Sequence, residues 1–289
     1  MICDSHIHFI PPKISEATLF YKGVWSDEDK LLSYLDSVDK AFLVYPSTDA
    51  ATSLGARRVC DLYNSEISKI ITKNKKIIGA GIVDFDSDIP AQIKQIREQR
   101  FSAVSIASSE GGKFLTEKIA LLAQSAQENN LVIFVHPQTI NPIGFERVKD
   151  PLLMPVLEYS FDVSMCLGIL MTEGILSSGA KFIFSSLAGI VPFLKDRLDR
   201  VYTMLRARGM VKDLGDDPSN ILKGVYVDTS GSPLSNINQA IDLFGQDKVL
   251  WGSDYPVCGD ISSNIAMLDE LGDDLKEKIT SKNFLNLFS

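Results

Sequence analysis

Eight short apolar runs, rich in β-branched residues and separated by helical patterns, recur along this 289-residue chain. They are Met1–Phe9, Ala41–Pro46, Ile77–Phe85, Ala103–Ala107, Leu131–His136, Lys181–Ser185, Gly224–Thr229 and Val249–Ser253. Most read as continuous rather than alternating apolar segments, the pattern of parallel strands buried on both faces. Amphipathic stretches of helical length lie between them, among them Glu28–Val38, Arg58–Lys73, Ile89–Gln99, Glu117–Asn129 and Ile237–Phe244. In the first, Leu31, Leu32, Leu35 and Val38 share one face. Strand and helix alternating eight times predict an α/β fold, a single (β/α)8 barrel of parallel strands over residues 1–289. An open doubly wound sheet is disfavoured, because no G-x-G-x-x-G follows the first run.

No repeat, low-complexity tract or linker divides the chain. The longest irregular stretch is Gln138–Pro155, after the fifth strand, where barrels place active-site covers. With 29 basic against 37 acidic residues the net charge is −8, which argues against a nucleic-acid partner. Cys3, Cys60, Cys166 and Cys258 form no C-x-x-C pair and read as free thiols of a reducing compartment. No run approaches the roughly 18 apolar residues of a membrane span, and MICDSHIHF lacks the basic start of a signal peptide. The expectation is a cytoplasmic protein with a small-molecule substrate and no membrane partner. A homodimer is the expectation on base rates alone.

The chain has three histidines, and all three fall at predicted strand ends. His6 and His8 are two apart in a strand, so both imidazoles project to one face while Ile7 points away. His136 closes LVIFVH, and Asp254 follows the last run in WGSDYP. The C-terminal ends of barrel strands are where active sites are built. Three imidazoles and a carboxylate there suit one divalent transition metal, with zinc the default and manganese or iron compatible. Asp254 can serve as ligand, as proton acceptor, or as both.

The motifs DSHIH, VHPQ, VYVDTSG and LWGSDYP, with Asn283 in the tail KNFLNLF, resemble the amidohydrolase superfamily nearly end to end. The likeness is to its amidohydrolase-related branch of ACMS decarboxylase-like and resorcylate decarboxylase-like enzymes. It implies a distorted barrel with one divalent metal held by His6, His8, His136 and Asp254. One departure stands out. After the sixth strand the branch carries a histidine, a Leu-Gly-Gly-like turn, a proline and an arginine; in FSSLAGIVPFLKDR, Leu187, Gly189, Pro192 and Arg197 fit, but Ser186 replaces the histidine. A serine hydroxyl does not titrate near pH 7 as an imidazole does. Three readings stay open: Asp254 is the sole base of a hydrolase, the chemistry needs no imidazole at Ser186, or the barrel is catalytically silent. The same metal site would also serve a non-oxidative decarboxylase of a small aromatic or unsaturated acid.

For the substrate, Arg197 matches the family arginine and suits a carboxylate. The rest of the basic cluster after the sixth strand (Lys195, Arg200, Arg206, Arg208, Lys212) reads as a solvated helix face. Tyr45, Ser47 and Thr48 after the second strand, and Asp228 and Ser230 after the seventh, are candidate pocket residues. Cys258 is a weak nucleophile candidate without a histidine base.

Overall fold

The computed structural model describes residues 1–143, 150–257 and 260–289. Eight parallel strands follow one another in chain order: β1 (Cys3–His8), β2 (Lys40–Val44), β3 (Ile77–Ile82), β4 (Ala103–Ala107), β5 (Val132–His136), β6 (Phe182–Phe184), β7 (Tyr226–Asp228) and β8 (Val249–Leu250). The last strand returns to the first through backbone bonds: Ser5 N–H donates to the Trp251 carbonyl (2.8 Å), Asp254 N–H to His6 (2.9 Å) and His8 N–H to Tyr255 (2.8 Å). Two of these three closing bonds involve the residues expected to hold a metal. The β1–β2 register shifts between Asp4 and Ile7, an irregularity in the stretch that holds Ser5 and His6.

Strand alternation sorts the side chains into two layers. Cys3, Phe42, Ala80, Ala103, Phe134 and Ile183 fill the barrel interior, and Phe284 and Leu287 join them from the C-terminal Asn283–Leu287 helix. The larger layer lies between strands and helices and includes Ile7, Leu43, Ile67, Ile93, Leu122 and Leu167. Burial of both strand faces is why the runs read as continuously apolar. Asn283 is buried and its amide donates to the Gln246 and Val249 carbonyls, both at 2.8 Å, holding the start of β8.

The second half holds one long helix not foreseen from the sequence and, after β6, the basic helix that was. Tyr159–Thr172 continues from a π-turn at Met154–Glu158, and Lys195–Ala207 follows β6. The combined segment Met154–Thr172 is long and apolar enough, by length and composition, to cross a membrane, and less than half of it is buried. Glu158, Ser160, Asp162 and Ser164 break it into short apolar runs, so it contains no uninterrupted apolar run of span length. Cys3, Cys60 and Cys166 are buried free thiols, and Cys258 lies outside the described residues.

Candidate metal centre

β1, β5 and the segment after β8 bring four side chains together above the barrel interior. His6, His8 and His136 are all buried, and their ligating ring nitrogens lie within 4.8 Å of one another. His6 Nε2 and His8 Nε2 stand 3.1 Å apart, and Asp254 Oδ1 lies 3.2 Å from His8 Nε2 and 3.7 Å from His6 Nε2. Phe134 forms the floor, its ring centroid 5.0 Å from that of His6.

The other nitrogen of each ring decides the chemistry. His8 Nδ1 faces the Val44 carbonyl at 3.0 Å, and His136 Nδ1 the Pro137 carbonyl at 2.8 Å. His6 Nδ1 faces Asp228 Oδ2 at 2.9 Å, with the Ser230 hydroxyl at 2.8 Å. Carbonyls and carboxylates can only accept, so each Nδ1 carries the proton and each Nε2 in the neutral ring presents a lone pair. Three lone pairs and a carboxylate then converge on one point, which is repulsive unless a cation sits between them. The donor set fits a divalent transition metal. His6, His8, His136 and Asp254 would hold it, with Asp228 behind His6 as the outer carboxylate that fixes the ring.

Charge preferences agree with a site built around one positive charge. Burial pushes His6 down, but the Asp228 carboxylate, with Asp254 and Asp4, outweighs it and carries the imidazole up to about 9. Burial lowers His8 and takes His136 well below the usual imidazole range, the neighbouring histidines adding to it for His136. At Asp254 burial raises the carboxyl, while the His8 contact and the charge of the histidine cluster overcome it and hold it below the usual range. Asp254 is the least buried of the four, its side chain 31% exposed.

The backbone is shaped to the same end. Asp254 has φ 61°, and Ser186, Leu187 and Ala188 form a left-handed turn with φ 50°, 56° and 59°. Such conformations in non-glycine residues persist only where surroundings over-determine them, and they cluster at functional sites. Two bonds do this for Ser186: its N–H donates to Asp228 Oδ1 (3.0 Å), which also accepts from Ser230 N–H (3.0 Å). At Gly252 a Cβ would meet His6 Cβ at 2.9 Å and Ser230 Oγ at 3.0 Å, so only glycine lets the β8 end pass beneath the ligand. Beside it Asp4, fully buried, accepts from the His6 and Ser253 amides (both 3.0 Å) and from the Tyr34 hydroxyl, tying β1 to the residue before Asp254.

A cavity of about 390 Å³ opens over the histidines, and Ser186 and Asp254 line it. Its walls are Tyr21, Trp25, Pro46, Pro137, Tyr159 and Val163. Trp25 stacks on His8 with centroids 5.6 Å apart, and Tyr21 meets Trp25 edge-on at 4.9 Å. Thr139 braces this wall, accepting from the Tyr21 hydroxyl (2.9 Å) and donating to the Ser47 carbonyl, while its own carbonyl accepts from Tyr159 (3.1 Å). Burial pushes the Tyr21 and Tyr159 phenols up, so both stay neutral. Among the described residues, Asp254 is the only carboxylate lining this cavity, and no lysine or arginine lines it.

The other candidates fall elsewhere. Tyr45, Ser47 and Thr48 line a neighbouring apolar cavity of about 150 Å³ at the ends of β2 to β4, and the Tyr45 hydroxyl is engaged by Thr48 at 2.7 Å. Arg197 is exposed on the Lys195–Ala207 helix and is not among the residues lining the metal cavity; the helix begins two residues earlier and turns this position outward. Asp228 and Ser230 lie beneath His6 rather than in the cavity wall. Trp25, Tyr21, Thr139 and Tyr159 were not anticipated; the only sequence signal for the first two is an aromatic pair in the loop just after the H-x-H strand.

Comparison with known proteins agrees with the fold. Residues 189–288 match the family model described as amidohydrolase. The IDCase of Metarhizium anisopliae superposes with a TM-score of 0.84 at 16% identity, covering 100% of this chain and 97% of that one. The 5-carboxyvanillate decarboxylase of Sphingomonas paucimobilis does so at 0.84 and 15% identity, covering 100% and 98%. The 5-carboxyvanillate decarboxylase of Novosphingobium aromaticivorans, whose crystals hold manganese and 4-hydroxy-3-methoxy-5-nitrobenzoic acid, reaches 0.79 at 19% identity, covering 100% and 96%. The resemblance to the amidohydrolases is shown. It rests on a sequence match over the last third and a fold match over the whole chain.

Proposed function

We propose that this chain is a metal-dependent hydrolase of a small organic substrate, with Asp254 as the proton shuttle. One observation carries the reading: three imidazoles locked as Nε2 donors meet the only carboxylate of the cavity, among the described residues, with no further titrating imidazole beside it. A divalent ion bound there, zinc on its donor set or manganese as in the Novosphingobium relative, would polarise a carbonyl and make water more acidic. Asp254, held ionised, takes the proton of the attacking water and passes it to the leaving group. Ser186, on its rigid left-handed turn, offers a neutral hydroxyl to the substrate. Trp25, Tyr21, Tyr159 and the prolines suit a flat, largely apolar substrate body carrying one acyl or carboxylate group. A carboxylate would be met by the cation at the histidines, since Arg197 lies elsewhere.

Non-oxidative decarboxylation is the second reading, favoured by the fold likeness to the two carboxyvanillate decarboxylases. It needs an acid to protonate carbon; at neutral pH neither Ser186 nor the raised phenols of Tyr21 and Tyr159 is suited to that task, so the proton would have to pass through Asp254, the shuttle of the hydrolase reading. The deciding experiment screens the zinc- and manganese-loaded protein against small lactones, esters, amides and hydroxybenzoates, beside Asp254→Asn. Hydrolytic turnover lost by about 10²-fold or more in the variant supports the proposal. Carbon dioxide release without a hydrolysis product overturns it in favour of decarboxylation.

A further inference from the structure

A second cavity lies beside the metal cavity, on the same face of the barrel. It measures about 150 Å³ at the ends of β2, β3 and β4, and its walls come entirely from residues 45–119. Tyr45 and Ser47 face it while Pro46, between them, lines the metal cavity. The end of β2 is therefore a partition, and the two cavities share no residue. Val59, Ile82, Ile106, Leu115 and Ile119 make the walls apolar, and Ala51, Ala56 and Ala107 add little bulk. An apolar cavity of about this size takes one six-membered ring. Ligand sites of barrels are built at this face.

The polar groups of the wall decide what such a ring must carry. The buried serines are spoken for: Ser105 donates to the Tyr45 carbonyl (3.3 Å), and Ser108 and Ser109 turn to the Asp162 carboxylate, Ser109 at 2.8 Å. The Tyr45–Thr48 pair is not. Both residues are only 8% exposed and their hydroxyls stand 2.7 Å apart, while Thr48 Oγ1 also accepts from the Ala50 amide (3.3 Å). Two hydroxyls bring two hydrogens, and the bond between them uses one, whichever oxygen donates. The other finds no acceptor among the described residues, and the cavity that both side chains line is the space it can turn to. A buried donor left without an acceptor is costly. Burial pushes the Tyr45 phenol up to about 12, so the pair stays neutral. Glu110, exposed at the rim, is the only charged residue of the lining, so an anion finds no partner here. A cation would bring further donors where an acceptor is wanted.

We propose that this cavity binds a neutral six-membered ring bearing one acceptor oxygen, a cyclic ketone or a phenol, held by the spare hydroxyl of the Tyr45–Thr48 pair. The site stands apart from the metal chemistry and does not depend on it. The test is an amide NMR titration of the full chain with cyclohexanone and with methylenecyclohexane, a hydrocarbon of the same shape, each up to its solubility. Wild type is compared with Tyr45→Phe/Thr48→Val and with Val59→Phe. Cyclohexanone is expected to shift the Val83, Ser108 and Ser109 amides and to leave the Trp25 indole N–H, which reports the metal cavity, in place. Removing both hydroxyls should weaken cyclohexanone about 5- to 10-fold and leave methylenecyclohexane unchanged or tighter. Val59→Phe, filling the cavity from the Ala56–Lys73 helix, should abolish binding of both probes. It tests the location even if the double variant, which strips the Ala50 amide of its acceptor, fails to fold. Cyclohexanone that shifts the Trp25 indole instead, or shifts no cavity amide, would overturn the proposal. So would equal loss of both probes in the folded double variant, or unchanged binding in folded Val59→Phe.

Discussion

Replacing Asp228 by asparagine exchanges one carboxylate oxygen for an NH2 group and tests the whole logic of the candidate metal centre. Asp228 is fully buried; its Oδ1 accepts from the Ser186 and Ser230 amides, and its Oδ2 faces His6 Nδ1. In Asp228→Asn the amide oxygen must take the Oδ1 position, because two backbone donors point at it. The NH2 group is then forced toward His6 Nδ1, where a donor already stands. His6 relieves the clash by moving its proton to Nε2, the nitrogen that faces His8 at 3.1 Å, and so ceases to be a ligand. The Ser230 hydroxyl, 2.8 Å from Nδ1, offers a weaker alternative acceptor and softens the effect. Loss of such an outer partner typically costs about 10- to 100-fold in metal affinity, roughly 1.4–2.7 kcal/mol. The single variant is expected toward the lower end and Asp228→Asn with Ser230→Ala at the upper. The assay is competition for zinc against a chromophoric chelator, starting from metal-free protein, with circular dichroism as the check on folding. Wild-type affinity in the folded double variant would refute the tautomer argument.

Metal affinity should rise with pH. His6, carried up to about 9 by Asp228, holds a proton below that pH which the ion must displace. Chelator competition should therefore show close to a tenfold gain per unit up to about pH 9 and a plateau above; a flat profile would contradict it. Asp162 is fully buried, hydrogen-bonded by Ser109, and pushed up by burial to about 6. An acid whose folded pKa is raised contributes stability below its unfolded pKa, near 4, and loses it as pH rises through 6. Asp162→Asn should thus stabilise by about 1–3 kcal/mol in denaturant titrations at pH 8 and give no gain at pH 4. Gly189→Ala places a Cβ 2.2 Å from the Ser160 carbonyl at φ +67°, and about 2–4 kcal/mol of lost stability is expected by the same titration. Ser186→His, projecting an imidazole into the cavity, should leave metal content unchanged and, if the hydrolase reading holds, raise no carbon dioxide release from hydroxybenzoates.

The barrel was legible because buried parallel strands write themselves as apolar runs, and all eight fall where the runs are. β6, β7 and β8 are shorter than their runs, since Ser185 to Ala188 and Trp251 to Asp254 leave the sheet to form the site. The metal-ligand candidates could be read from position alone: strand ends converge at one barrel face whatever lies between them. The wall of the cavity could not. Trp25 and Tyr21 reach it from a loop, and aromatic residues in a loop have no periodicity to read. The Tyr159–Thr172 helix escaped notice for the opposite reason, being apolar on every side and so lacking a stripe. Arg197 sits in a fitting motif, yet the angle at which its helix starts, which no motif encodes, turns it outward.

The closure of the barrel joins β1 directly to the segment after β8, and the two sides of the candidate metal centre come from those two places, 246 residues apart between His8 and Asp254. During synthesis, then, the β1 pair of candidate ligands is made before the rest of the barrel, and the carboxylate only after its last strand. An ion captured by His6 and His8 alone would be held weakly and could exchange; the complete set forms only when the final strand docks. With an ion held by these four residues, metal binding and barrel closure would be one equilibrium, the ion would act as the latch of the last seam, and its removal should loosen the β1–β8 junction before any other part of the sheet.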